Sequence, residues 1–66
     1  MIAFQHIKTG EYLGTLTNFE RVSLLCDAFP FHECDETPRR KRHPELSQYR
    51  TVFWSRKLAE DSWKKR

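Results

Sequence analysis

Four consecutive cations, Arg39-Arg40-Lys41-Arg42, form the longest run of like charges in the sequence, and a proline stands on each side of them. Guanidinium and ammonium groups bind phosphates and carboxylates. The run would therefore suit a nucleic acid, a nuclear-import receptor or a processing protease. A solvated loop explains the same residues, because charge alone does not identify a partner.

A second set of cations surrounds an indole ring further along the chain, where Arg50, Trp54 and Arg56 alternate with other residues. Arginines on phosphates and an aromatic ring on a base are the usual parts of a surface that binds single-stranded nucleic acid. We therefore expect a small non-catalytic module that contacts DNA or RNA through both sets. The predicted contact residues are Arg39, Arg40, Lys41, Arg42, Arg50, Trp54 and Arg56.

The same residue types favour an alternative function, docking on an acidic surface of a larger protein. Trp, Tyr and Arg are enriched among the residues that contribute most to protein interfaces. Five Phe, two Trp and two Tyr are also many for the thin core of so short a chain. A regulator or inhibitor of the kind that phages and mobile elements encode fits this description. If Trp54 lies in the core instead of beside the cations, this alternative is favoured.

Zinc binding is a second alternative, carried by two cysteines and two histidines with the right donor atoms. Their spacings match no familiar zinc finger, and the first cysteine falls on an apolar stripe. Histidines and carboxylates also occur without a phosphate-binding loop, a nucleophile elbow or a recognisable triad, so we expect neither catalysis nor a cofactor. The four zinc-type residues are Cys26, His32, Cys34 and His43.

Length and composition predict one small α+β domain over residues 1–66. A chain of 66 residues with 38% hydrophobic and 32% charged residues has a thin core. The formal charge of +3 favours polyanions or acidic surfaces as partners. No charged-then-apolar leader and no apolar run of membrane-spanning length occur, so we expect a cytoplasmic protein that does not enter a membrane.

The first thirty residues predict a strand, strand, helix unit. Alternation over residues 2–7 and 12–16, with the turn Lys8-Thr9-Gly10-Glu11 between them, is typical of a hairpin. Thr17-Asn18-Phe19-Glu20 matches a capping box, and Pro30 would end the helix that it starts. An apolar stripe would pack this helix on the hairpin: Val22, Leu25, Cys26 and Phe29.

The remainder predicts a charged, exposed loop over residues 31–45, then a third strand and a short terminal helix in residues 46–66. Residues 48–55 are rich in β-branched and aromatic types, which favours a strand with Tyr49, Thr51 and Phe53 facing the core. A helix over residues 45–55 stays open, since Pro44 could start one. Ser55 is a suitable cap for the terminal helix.

Overall fold

The computed structural model describes residues 1–15 and 19–64. In these residues a four-stranded antiparallel sheet, in the order β3-β2-β1-β4, is accompanied by two α-helices, which confirms the predicted α+β class. The strands are β1 (Ile2–His6), β2 (Tyr12–Leu13), β3 (Arg21–Val22) and β4 (Tyr49–Phe53). The helices are α1 (Glu36–Arg42) and α2 (Arg56–Lys64), and short 3-10 helices cover Leu25–Asp27, Glu33–Asp35 and Pro44–Gln48.

The hairpin of β1 and β2 forms as predicted. Gly10 has a φ of 77°, a conformation that other residues adopt at a cost. The hairpin closes where the His6 amide donates to the Glu11 carbonyl at 2.7 Å. Gly14 brings the chain beyond β2 close to β3, because its amide donates to the Glu20 carbonyl at 2.7 Å.

The predicted helix between Thr17 and Pro30 is wrong. Its proposed cap at Thr17 lies outside the described residues, and the following residues form β3 and a single 3-10 turn. An isolated helix of this length is marginal in water, and Arg21 and Val22 pair with β2 instead, which outweighs the local helical pattern. The four residues of the apolar stripe do not pack as one face, and none is fully buried: Val22, Leu25, Cys26 and Phe29.

The segment predicted as a charged loop is instead helical in part, since α1 contains all four consecutive cations. Glu36 begins the helix, and Pro38 lies in its first turn, where the missing amide hydrogen costs little. The cations occupy the last turn, where the negative end of the helix dipole favours them. These signals were present in the sequence, and the two prolines obscured them.

The core lies on one face of the sheet. Pairing places Phe4 opposite Thr51 and His6 opposite Tyr49, so these four residues share that face. Because β4 is a strand, the helical alternative for this segment is wrong. Its alternation is as predicted at Tyr49, which is buried, but Phe53 at the end of the strand is 64% exposed. The buried cluster consists of Ile2, Phe4, Leu13, Phe31, Leu46 and Tyr49.

The terminal helix α2 is confirmed, together with its cap. The Leu58 amide donates to the Ser55 hydroxyl oxygen at 3.2 Å. The helix packs against the 3-10 turn Leu25–Asp27, where the Leu25 amide donates to Ser62 Oγ at 3.3 Å. Neither α2 nor any other helix in the described ranges is long and apolar enough to cross a membrane.

We expect Gly14→Ala to lower the free energy of unfolding by about 1–3 kcal/mol, because the added methyl group overpacks the sheet edge. The new Cβ would lie 3.0 Å from Val22 Cγ1 and 3.3 Å from the Glu20 carbonyl oxygen. Urea denaturation measures the loss. Gly10→Asn is a comparison with a different cause: the turn leaves room for the side chain, and the cost comes from the positive φ, which asparagine tolerates better than most residues. Equal stabilities of Gly14→Ala and the unmodified protein would contradict the close packing.

Candidate functional site

Arg40 is used inside the fold. Its Nη1 donates to the carbonyl oxygens of Leu46 at 2.7 Å and Tyr49 at 3.1 Å, and its Nη2 donates to Thr51 Oγ1 at 2.9 Å. The guanidinium group also lies 5.1 Å from the centre of the Phe4 ring, a cation–π distance. These contacts occupy most of its donors, so Arg40 has little capacity left to bind a phosphate.

Glu36 completes this arrangement one helical turn earlier. Its Oε1 lies 3.6 Å from Arg40 Nε and accepts a hydrogen bond of 2.8 Å from the Thr51 hydroxyl. Together Glu36 and Arg40 attach α1 to β4. This ion pair is made within one helix and lies against the sheet.

The other three cations of the run point elsewhere. Lys41 and Arg42 are exposed, and Arg39 is half-buried with its guanidinium 5.9 Å from the centre of the Phe31 ring. No ion pair to these three side chains occurs among residues 1–15 and 19–64. They form a small cationic surface on α1.

Arg50 and Trp54 belong to the other side of the sheet. Side chains alternate along a strand, so Arg50 faces away from Thr51 and from the α1 residues that contact it. Arg50 Nε donates to Gln5 Oε1, on the paired residue of β1, at 2.9 Å. Trp54 continues the same alternation, because its amide donates to the Met1 carbonyl at 2.8 Å. The fold therefore does not bring the run of cations and the Arg50–Trp54 set onto one face.

Trp54 is half-buried and held at its edge. Its Nε1 donates to the Leu25 carbonyl at 3.3 Å, which joins the end of β4 to the 3-10 turn against α2. A ring held by this hydrogen bond is part of the packed structure, so it is not free to rotate and stack on a nucleotide base.

Two adjoining hollows meet at Trp54 and Arg56, with volumes of about 500 and 340 Å³. We call this region the Trp54 surface. The aromatic residues at its two ends are mostly in solvent, with Phe53 64% and Trp63 60% exposed. Its lining consists of Met1, Cys26, Pro30, Phe53, Trp54, Ser55, Arg56, Ala59, Glu60 and Trp63.

Sequence reasoning named Trp54 and Arg56 but missed the rest of this surface. Phe53 was assigned to the core on alternation alone, although it ends its strand. Trp63 lies one residue before a basic terminus, and a large apolar side chain among charged helix residues was the available signal.

The Met1 ammonium group at the rim of the Trp54 surface donates to Glu33 Oε1 at 3.2 Å. This hydrogen bond, with the charge of the ammonium group, lowers the pKa of the Glu33 carboxyl. The contact is present above the ordinary pKa of a glutamate and is lost as the pH falls through the lowered value. Both groups are exposed, so salt screens their interaction.

The zinc-type residues are dispersed, and no group of three His, Cys, Asp or Glu that could hold a metal occurs in the ranges 1–15 and 19–64. Cys26 lines the Trp54 surface, His32 and Cys34 are exposed, and the His43 ring packs edge-on 5.6 Å from Phe19.

His6, the buried histidine, has structural partners. Its Nδ1 accepts from the Thr9 amide at 3.3 Å, and its Nε2 lies 3.4 Å from Gln48 Oε1. The ring also packs edge-on against Tyr49, with 5.0 Å between the ring centres. These contacts place His6 at the base of the hairpin turn.

No protein-family model, curated protein or solved structure matches this chain.

We expect Arg40→Met to lower the free energy of unfolding by about 2 kcal/mol, since three acceptors and one carboxylate lose a charged partner. Methionine keeps an unbranched side chain at this position and removes the charge. Arg42→Met, about half a turn away on the same helix, is the matched control and should change stability by less than about 0.5 kcal/mol. Urea denaturation followed by circular dichroism measures both. Equal losses would mean that Arg40 is an ordinary surface cation.

The two tryptophans should differ in their access to solvent. We expect Trp63, observed alone in Trp54→Phe, to be quenched strongly by acrylamide and to emit at long wavelength. Trp54, observed alone in Trp63→Phe, should be quenched less and emit at shorter wavelength. Acrylamide is uncharged, so the neighbouring cations do not bias the comparison. Identical quenching of the two would contradict the position of Trp54.

Proposed function

We propose that this protein is a non-catalytic binding module that docks on a larger protein through the Trp54 surface. The observation that supports this most is the placement of exposed Phe53 and Trp63 on either side of Trp54 and Arg56. Exposed aromatic rings beside a hollow are typical of a surface that a partner covers. Arg and Trp are also the residues that contribute most to protein interfaces.

The Trp54 surface is in part pre-ordered, which lowers the entropic cost of binding. Trp54 is held by the Leu25 carbonyl, and Ser55 fixes the start of α2 by capping it. A partner would therefore meet a surface that is already ordered at Trp54 and at the start of α2, with the exposed Arg56 lining both hollows.

The partner surface that fits is acidic around an apolar contact. The formal charge of +3 favours encounter with an acidic protein, and Arg56 places one cation inside the contact area. The α1 cations Arg39, Lys41 and Arg42 do not line the Trp54 surface, and they would add to the long-range attraction.

Nucleic-acid binding remains a second candidate, favoured by the exposed cations Arg39, Lys41 and Arg42 on α1. This surface lacks the tryptophan and the two further arginines that the sequence suggested would join it. Binding there would depend on phosphates alone, with a salt slope of about −3 for three contacts on duplex DNA.

Two sets of substitutions separate these functions. Phe53→Ser with Trp63→Ser removes the exposed aromatics of the Trp54 surface. Arg39→Ala, Lys41→Ala and Arg42→Ala removes the α1 cations and spares Arg40, so the fold is kept. A photo-crosslinking residue at Glu60, which lines the Trp54 surface and is exposed on α2, would capture the partner from cell extract for identification.

We expect the double serine variant to weaken binding of the purified partner by about a hundredfold, since two aromatic contacts are each worth about 1–2 kcal/mol or more. The triple alanine variant should change that affinity by less than about fivefold, through long-range charge alone. Isothermal titration calorimetry measures both. Three results together would contradict the protein-docking function: oligonucleotides bind at low salt, the triple variant abolishes that binding, and no protein is captured. The second candidate would then stand.

A further inference from the structure

The outer edge of β4 runs beside the Trp54 surface. The strand order places β4 at one end of the sheet, with β1 as its paired neighbour. In an antiparallel ladder, alternate residues turn their amide and carbonyl groups toward the neighbour. The hydrogen bonds from the Trp54 amide to Met1 and from the Ile7 amide to Gln48 set this alternation. Thr51 and Phe53 therefore turn their backbone groups outward.

The Tyr49 end of this edge is already covered. The outward carbonyl of Tyr49 accepts a hydrogen bond from Arg40, which also holds the Thr51 side chain. Beyond that point the strand continues to Phe53 with no further strand beside it in the described residues. The open part thus consists of two amides and two carbonyls, at Thr51 and Phe53. Proteins usually cover or charge such an edge, because it is a template for another strand.

We infer that an extended acidic segment of the protein partner adds as a strand to β4 at Thr51–Phe53. This inference rests on the proposed function and states how the partner binds. Main-chain hydrogen bonds to Thr51 and Phe53 supply affinity, and alternate side chains of the segment supply specificity. One apolar side chain enters the hollow beside Phe53, and one carboxylate meets Arg56.

Charge decides the occupant of this edge. Arg56 lines the hollow at one end of the open part, and Arg40 at the other end already has Glu36 as its ion-pair partner. Arg56 has no ion pair among residues 1–15 and 19–64. A second copy of this chain would bring another Arg56 and a formal charge of +3 to the contact. An acidic segment meets no such repulsion, and one of its carboxylates would pair with Arg56.

Hydrogen exchange tests the edge directly in the intact protein. In the free protein the amides of Thr51 and Phe53 should exchange at least about tenfold faster than those of Val52 and Trp54, which bond to β1. The probe is an acidic peptide selected from a displayed library of extended nine-residue sequences. Its binding should slow exchange at Thr51 and Phe53 by about tenfold or more. Binding that leaves these two amides unprotected overturns the inference.

Two substitutions at one position separate the contribution of the backbone amide to binding from that of the side chain. Phe53→Val keeps the outward amide and removes the ring. Phe53→Pro removes the ring and the amide, without breaking a ladder hydrogen bond. We expect the proline variant to bind the selected peptide and the purified partner about tenfold more weakly than the valine variant, the effect of one main-chain hydrogen bond. Equal affinities overturn strand addition. If the proline variant does not fold, the exchange measurement on the unmodified protein decides.

Failure of this inference is distinct from failure of the proposed function. A partner that needs Phe53 and Trp63 but leaves the Thr51 and Phe53 amides unprotected keeps the proposed function and overturns strand addition. A dimer seen by light scattering that Phe53→Pro abolishes makes a second copy the occupant and overturns the acidic segment. Absence of any protein partner overturns both.

Discussion

The guanidinium group of Arg40 is the interaction on which the arrangement of this small fold depends. It joins three consecutive segments: α1, the 3-10 helix before β4, and β4 itself. Only arginine offers five donors in a planar fork, so the three acceptors and the Glu36 carboxylate can be served at once. The thin core, whose main cluster holds six buried side chains among the described residues, gains from such a polar tie, because it fixes α1 over the Phe4 face.

Local signals in the sequence were sufficient wherever a residue acts on its immediate neighbours. The hairpin follows from alternation and from Gly10, and α2 follows from the Ser55 cap. The strand over Tyr49–Phe53 follows from β-branched and aromatic residues. The helix before Pro30 was wrong because its residues pair with β2, a choice made by a distant edge and not by the segment itself. Conversely, the sequence did not predict α1, because Pro38 within it and Pro44 after it suggested a loop.

The candidate site was harder to predict than the fold, since it is assembled from distant parts of the chain. Phe53, Trp63 and Met1 become neighbours only when β1, β4 and α2 are in place. The seven predicted residues were chosen for charge and for an indole. Their separation follows from strand alternation, which sends Thr51 toward α1 and Arg50 away from it. Arg40 shows why counting cations overestimates the size of a binding surface: the donors of a charged side chain can be occupied by contacts within the protein.

The contact of Arg40 with the Tyr49 carbonyl links helix docking to the state of assembly of the protein. While α1 is in place, the open part of the β4 edge runs from Thr51 to Phe53, which is room for one short segment. If α1 were released, the Tyr49 carbonyl would also be uncovered, and a longer part of the strand would be open to pairing between molecules.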